Sequence, residues 1–253
     1  MNQATFVGVD LAWHPEKHPS GVAVLKGDRQ REQLLCVDAS VLSVSALVEY
    51  VEKHATPTTC VAVDAPLVIR NEVGQRRCET LLGRCYGAQH ASCHSSNLSK
   101  YPDAPGVRLA QALSSRNFRH APDSMPAKSE RVMLEVYPHP ALLELFRLSS
   151  IIRYKKGKVE QRRRGQRELQ QCLNKLSDLN PPLDNTELSK FLAVDTNSLS
   201  GTALKAYEDK LDAVVCSYIA YHYWFWGLSR THLFGDVNAG CIMVPMGSSH
   251  PAE

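Results

Sequence analysis

The chain has 253 residues, 43% of them hydrophobic and 22% charged, so it can bury a substantial core and is neither disordered nor a coiled coil. Its 29 basic and 26 acidic side chains give a net charge of +3, which excludes a global basic field for nucleic acid. The N-terminal residues lack the segments of a secretory signal, and the longest apolar stretch is broken by polar residues. We therefore expect a cytoplasmic protein with no membrane partner, whose eight cysteines are reduced.

The first third of the chain alternates strand and helix patterns. Apolar, β-branched runs predict strands at residues 5–13, 21–26, 33–38 and 58–68. Apolar residues at helical spacing predict a helix at Val44–His54. Two neighbouring strands, a third strand, a helix and a further strand are typical of an α/β fold.

The rest of the chain is organised around an elaborated middle region. Residues 70–126 are irregular apart from a short helical stretch at 107–113. The further predicted elements are strands at 133–137 and Gly240–Pro245, and helices at 141–148, 168–176 and 202–226. With no repeat and no clear linker, we predict a single domain over residues 1–253, with 70–126 as an irregular insertion within it.

Four aspartates form the most informative pattern. Asp10 and Asp64 each end an apolar strand run, and Asp209 and Asp212 lie three apart at the start of an apolar helix. A pair at this spacing lies on one helical face, and the strand-terminal acids face it if the helix packs across the sheet. Mg²⁺ and Mn²⁺ prefer such hard oxygen ligands, and two of these ions can drive phosphodiester hydrolysis. The pattern predicts a metal site whose ligands and catalytic residues are Asp10, Asp64, Asp209 and Asp212.

Simpler roles exist for each of these acids. An aspartate after a strand commonly forms a turn, and two acids in a first helical turn complement the helix dipole. Asp212, however, is followed directly by Ala213, Val214 and Val215. This places a carboxylate beside the core, which is costly unless the group is paired or metal-bound.

Two further residues near a predicted strand end are candidates. Glu135 is a candidate catalytic residue, as a further metal ligand, a general base or an acceptor for His139, with an ordinary edge-strand acid as the alternative. His139 lies between two prolines, where it is either a phosphate contact or proton shuttle, or a turn residue.

A dense group of cysteines and histidines lies in the middle region. Its spacing fits none of the usual zinc knuckles, so we do not expect structural zinc and interpret the group as loop residues near a substrate groove. Its members are Cys78, Cys85, His90, Cys93 and His94.

Residues 147–167 carry nine basic side chains and a single acid. Phosphate contacts by lysine and arginine supply sequence-independent affinity for nucleic acid, whereas a solvated helix face is the alternative. The aromatic residues at 218–226 are better explained as core packing than as base stacking. Nucleic acid, with DNA and RNA both open, is the predicted partner, and the predicted substrate-binding residues are Lys155, Lys156, Lys158, Arg162, Arg163, Arg77 and His139.

Motifs along nearly the whole chain resemble the domain-of-unknown-function 429 family, whose members are predicted ribonuclease-H-like nucleases. The motifs are Gly8-Val9-Asp10-Leu11-Ala12-Trp13, Ser20-Gly21-Val22-Ala23, Val63-Asp64-Ala65-Pro66-Leu67, Arg77-Cys78-Glu79, Glu135-Val136-Tyr137-Pro138-His139-Pro140, Tyr154-Lys155-Lys156-Gly157, Asp209-Lys210-Leu211-Asp212-Ala213 and Gly240-Cys241-Ile242-Met243-Val244-Pro245. The resemblance implies an α/β fold of the ribonuclease-H-like kind: a mixed five-stranded sheet, its first three strands antiparallel, flanked by helices. The order of the acids is also similar to that of RuvC resolvases, which have a glutamate where this chain has Asp64.

The leading hypothesis is a metal-dependent nuclease that uses Mg²⁺ or Mn²⁺. One alternative is a nucleotide-binding or phosphotransferase protein of the actin-like kind. That function requires a glycine-rich phosphate loop after the first strand, whereas residues 11–15 contain no glycine. The other alternative is a non-catalytic module that binds nucleic acid, for which clustered acids are unfavourable because they repel phosphate.

Overall fold

The structure, a computed structural model, describes residues 3–247 as a mixed α/β fold. The strands are β1 (Ala4–Asp10), β2 (Ser20–Gly27), β3 (Glu32–Val41), β4 (Thr59–Val63), β5 (Arg119–His120), β6 (Arg131–Glu135), β7 (Thr231–Asp236) and β8 (Gly240–Pro245). The α-helices are α1 (Val44–His54), α2 (Arg77–Tyr86), α3 (Pro105–Ser114), α4 (Pro138–Phe146), α5 (Val159–Leu173), α6 (Asn185–Leu192) and α7 (Gly201–Trp226).

The main sheet has the strand order β3-β2-β1-β4-β6-β5. β1, β2 and β3 pair antiparallel, as expected, and β4, β6 and β5 continue from β1 in parallel. The sheet has six strands rather than the expected five. The additional edge strand, β5, is only two residues long, which is too short to produce a periodic pattern in the sequence.

The middle region is more regular than the sequence indicates. Residues 70–126 contain helix α2 as well as α3, and only α3 overlaps a predicted helical stretch. α2 buries Cys78, Leu82 and Tyr86, which are spaced four apart, but most of the residues between them are charged, polar or small. A narrow apolar stripe of this kind is a weak sequence signal.

Two hydrophobic cores cover the two faces of the main sheet. Phe6 packs with α7 and its neighbours on one face, whereas Val7 and Val9 pack with α1 and α3 on the other. Because side chains alternate along a strand, Asp10 follows Phe6 to the α7 side, and Asp64 follows Ala62 there. The alternation thus places both strand-terminal acids beneath the long helix.

Helix α7 approaches the sheet closely at two glycines. A Cβ atom on Gly8 would lie 2.0 Å from the carbonyl oxygen of Ala213, and one on Gly21 would lie 2.3 Å from that of Asp209. No other residue type fits at this distance, because real side chains do not tolerate such contacts. The two glycines let the middle of α7 lie directly over β1 and β2, beside the strand end that carries Asp10.

The aromatic end of α7 belongs to the core, as predicted. Tyr218, Tyr221, His222 and Tyr223 are buried, and the ring of Tyr221 lies 5.3 Å from that of Phe6. The eight cysteines are all unpaired in residues 3–247. None of the helices that the structure describes combines the length and hydropathy required to span a membrane.

Candidate active site

A cleft with a volume of about 1370 Å³ opens at the carboxyl ends of the central strands. Asp10 and Asp64 both line it. Val9 is paired with Val63 in the parallel β1–β4 ladder, and the backbone N–H of Asp64 donates to the carbonyl of Val9 at 2.8 Å. The two acids therefore follow directly from a paired position and lie side by side at the edge of the sheet.

Asp212 joins this pair from helix α7, fully buried under the cleft. The hydroxyl of Tyr154 donates to its Oδ1, and Lys155 Nζ lies 2.8 Å from its Oδ2. The same ammonium lies 3.9 Å from Oδ2 of Asp64. Lys155 therefore bridges a strand acid and a helix acid, and we call Asp10, Asp64, Asp212 and Lys155 the lysine-bridged cluster.

The cluster perturbs the proton affinities of its members. Burial raises the pKa of Asp64 to about 7, with Lys155 lowering it and Asp212 raising it. Burial also holds the pKa of Asp10 well above its ordinary value. Burial opposes the charge of Lys155, but the surrounding carboxylates outweigh that effect and hold its pKa well above the usual range. The arrangement is a crowded set of acids that one cation only partly neutralises.

Asp209 lies on the cleft wall but has a cation of its own. Lys205, one turn earlier on α7, pairs with Asp209 and lies 3.0 Å from Oε1 of Glu208. Lys205 also lines the cleft, and it was not among the predicted site residues. Its spacing of four residues from Asp209 was an available signal, because such pairs meet on one helical face.

Glu135 lies in a separate buried ion network. It shares the strand alternation of Met133, which packs in the α1 and α3 core rather than beneath α7. Arg76 donates to both of its oxygens, at 2.9 and 2.6 Å, and the backbone N–H of Leu67 donates to Oε2. Arg76 also bonds Glu79 at 2.8 Å. Glu135 is thus paired with an arginine and joins the end of β6 to the start of α2.

His139 lies in the cleft wall, in the first turn of α4. Its ring centre is 5.4 Å from that of Tyr154. Burial lowers the pKa of His139 to about 4, with Lys155 and Lys156 contributing. Its Nδ1 atom is buried and has no hydrogen-bond partner within residues 3–247. The imidazole is therefore neutral at physiological pH.

The basic residues at 147–167 do not form one surface in the structure. Arg162 pairs with Glu208 at 3.1 Å, and Arg163 donates twice to the carbonyl of Leu199, so both are used within the fold. Lys158 is exposed beyond the cleft lining. The members of the run that line the cleft are Arg153, Lys155, Lys156 and Arg164.

The arginine that reaches the cleft from α2 differs from the predicted one by a single position. Arg77 is exposed outside the cleft lining, whereas its neighbour Arg76 is buried and lines the cleft. The signal for Arg76 was its spacing of three residues from Glu79, which places the two on one side of a helix start.

A family model described as "Protein of unknown function (DUF429)" matches residues 8–233. The chain belongs to this family. The matched range includes all four aspartates, Lys155, the last three residues of β1 and the whole of β4. No curated protein of known function shows significant sequence similarity to the chain. The description of the DUF429 family names no activity, so the match establishes family membership but assigns no reaction to the chain.

In this DUF429 chain, the type of donor atom in the cluster favours a metal ion, whereas the arrangement of the donors does not. The donors of the cluster are all carboxylate oxygens, which suit Mg²⁺ or Mn²⁺. Within residues 3–247, however, no set of three or more His, Cys, Asp or Glu side chains is arranged to hold a metal. The ammonium of Lys155 lies between Asp64 and Asp212 instead.

Among the cysteine and histidine group, His90, Cys93 and His94 line the cleft.

Proposed function

We propose that this protein is a divalent-metal-dependent phosphodiesterase that hydrolyses nucleic-acid phosphodiester bonds on a ribonuclease-H-like scaffold. The strand order β3-β2-β1-β4-β6, with three antiparallel strands followed by parallel ones, supports the scaffold. In open α/β sheets, ligands bind outside the carboxyl ends of the strands. The cleft that carries the acids lies at this edge.

The observation that carries the proposal is the lysine-bridged cluster. The ammonium of Lys155 lies 2.8 Å from Asp212 on α7 and 3.9 Å from Asp64 at the end of β4, and the charge of Asp10 on β1 also acts on it. The surplus of acids favours a further cation, since clustered anions repel a phosphate unless positive charge offsets them. Cells supply that charge most readily as Mg²⁺.

The residues have distinct roles in this proposal. Asp10, Asp64 and Asp212 would hold Mg²⁺ or Mn²⁺, and a bound ion stabilises charge on the phosphoryl oxygens and lowers the pKa of water. Lys155, released from Asp212, contacts a substrate phosphate. The neutral imidazole of His139 would offer the substrate a hydrogen-bond partner at the cleft wall.

The test is a cleavage assay with labelled single-stranded, duplex and branched DNA and RNA, in Mg²⁺, then Mn²⁺, then EDTA. We expect cutting in the presence of either metal and none in EDTA. Asp10→Asn and Asp212→Asn are expected to lower the rate by at least ~100-fold, as the loss of a catalytic charge does. Asp178→Asn, an exposed aspartate outside the cleft, is the matched control.

Two outcomes would contradict the proposal: no substrate is cut, or cutting survives in Asp10→Asn and Asp212→Asn. Saturable ATP binding without cleavage would point to the nucleotide-binding alternative. Salt-dependent nucleic-acid binding that neither substitution affects would point to a non-catalytic module.

A further inference from the structure

An exposed indole lies at the rim of the cleft beside the lysine-bridged cluster. Trp13 is 42% exposed and is the aromatic member of the large hydrophobic side chains that residues 3–247 leave on the surface. It lines the same cleft as Asp10, which precedes it by three residues. At roughly 3.5 Å per residue, the two backbone positions lie within ~10 Å of each other.

The indole is held in a defined position. Its ring stacks on that of Tyr101, with the centroids 4.4 Å apart and the planes 28° from parallel. The segment that carries Trp13 is tied down at two points. The N–H of Ala12 donates to Ser20 Oγ at 3.1 Å, and the N–H of Ser43 donates to the carbonyl of Pro15 at 2.9 Å. A fixed, solvent-exposed ring loses little freedom when it binds a flat ligand.

We propose that Trp13, backed by Tyr101, is a stacking platform for an unpaired base of the substrate, which makes single-stranded nucleic acid the preferred substrate class. The inference rests on the proposed function and names the substrate of the same site. Every base has a π-face that can stack on an aromatic side chain, so such a platform is tolerant of sequence. A base inside a duplex is covered on both faces, and exposing it costs a few kcal/mol.

The surroundings of the ring fit this ligand. Lys156 is exposed on the cleft lining, where it can contact a phosphate of the same strand. Asp10 and Asp64 line the same cleft as Trp13, so a strand whose base stacks on the indole can extend its phosphates toward these acids. Stacking from one side and charge from the other together orient a single strand in the cleft.

The test measures binding in EDTA, where metal-dependent cleavage is absent. Fluorescence anisotropy compares a labelled oligothymidylate, its duplex with oligoadenylate, and an abasic oligonucleotide of equal length and charge. We expect the oligothymidylate to bind more tightly than either of the others. Trp13→Ala is expected to weaken its binding by about 5- to 150-fold and to leave the abasic strand unaffected. Trp13→Phe, which keeps a ring, is expected to retain most of the affinity.

Met125→Ala, an exposed apolar residue outside the cleft, is the matched control, and thermal unfolding checks that each variant folds. Equal affinity of the wild type for abasic and base-containing strands would overturn the inference. So would a Trp13→Ala protein that binds like the wild type. Cleavage without a Trp13 effect refutes the platform alone, whereas a Trp13 effect without cleavage refutes the proposed hydrolysis alone.

Discussion

The ammonium of Lys155 lies 2.8 Å from Oδ2 of Asp212, on a carboxylate that is fully buried beneath the cleft. The lysine comes from the irregular segment 147–158 between α4 and α5, and the aspartate from the long core helix α7. Their contact links the two sides of the site, because it also brings the ammonium within 3.9 Å of Asp64. Lys155 thus holds the position between two carboxylates where a divalent cation is proposed to bind.

Replacing this lysine tests that position. We expect Lys155→Met to lower the free energy of unfolding by about 2 kcal/mol in EDTA, because the buried carboxylate of Asp212 loses its cation and keeps only the hydrogen bond from Tyr154. Mg²⁺ is then expected to raise the melting temperature of Lys155→Met more than that of the wild type, because the ion no longer competes with the ammonium. Calorimetry with and without Mg²⁺ measures both effects. Lys156→Met is the control, and equal responses of all three proteins would refute the interpretation.

The raised pKa of Asp64 predicts how stability changes with pH. Its folded-state value is about 7, against an ordinary value of 3.8. Between these values the folded protein holds a proton that the unfolded chain releases. This stabilising contribution is fully present below pH 3.8 and is lost as the pH rises through 7, with a slope of at most ~1.4 kcal/mol per pH unit.

Asp64→Asn removes this contribution. In EDTA, we therefore expect the variant to gain stability relative to the wild type by roughly 1–3 kcal/mol between pH 5 and pH 8. Urea unfolding at the two pH values measures the change. Asp178→Asn is expected to follow the wild type at both, and a parallel pH dependence in Asp64→Asn would contradict the assigned pKa.

The ion network of Arg76, Glu79 and Glu135 predicts that replacing Arg76 lowers stability more than replacing Glu135. Arg76→Leu leaves the buried carboxylates of Glu79 and Glu135 without their cation and is expected to cost about 3–5 kcal/mol of unfolding free energy. Glu135→Gln is expected to cost about 1–2 kcal/mol, because Arg76 keeps its bond to Glu79. Urea denaturation ranks the variants, with the exposed Arg77→Leu as control. A larger loss in Glu135→Gln than in Arg76→Leu would show that the network is wrongly described.

The close approach of α7 predicts that one added methyl group disrupts the site. Gly21→Ala would bring Cβ to 2.3 Å from the carbonyl of Asp209, so the helix must shift. We expect a loss of about 1–3 kcal/mol in stability and a further loss of cleavage at temperatures where the variant is folded. Gly83→Ala is the matched control, because its Cβ meets only Ser92 Oγ at 3.8 Å, and Ala favours the helix by up to ~1 kcal/mol. Equal stability of the two variants would contradict the packing.

Much of the architecture follows from local patterns in the sequence. The strand-terminal positions of Asp10 and Asp64 and the spacing of Asp209 and Asp212 predicted that these acids would face one another, and the structure places Asp10, Asp64 and Asp209 on one cleft with Asp212 buried beneath it. The partners of the acids did not follow from any pattern. Lys155 reaches Asp212 because an irregular segment packs on a helix 57 residues away in sequence, and no periodicity encodes such a contact.

Two other details of the site depend on tertiary packing. The basic run is locally unusual in the sequence, but helix α5, which carries four of its nine basic residues, directs Arg162 and Arg163 toward partners within the fold. The indole of Trp13 belongs to the motif that contains Asp10, yet its exposure and its stack on Tyr101 are visible only in three dimensions.

The close contacts at Gly8 and Gly21 fix the backbone on which the acids of the cleft lie, whereas Lys155 has no such constraint. The backbones that carry Asp10, Asp209 and Asp212 are pressed together with no free space between them, so their spacing is set when the protein folds. Lys155 instead projects on a long side chain from a segment with neither helix nor strand. Exchange of an ammonium for a metal ion therefore needs only the swing of one side chain. The scattering profile of the protein in solution is expected to be the same with and without Mg²⁺.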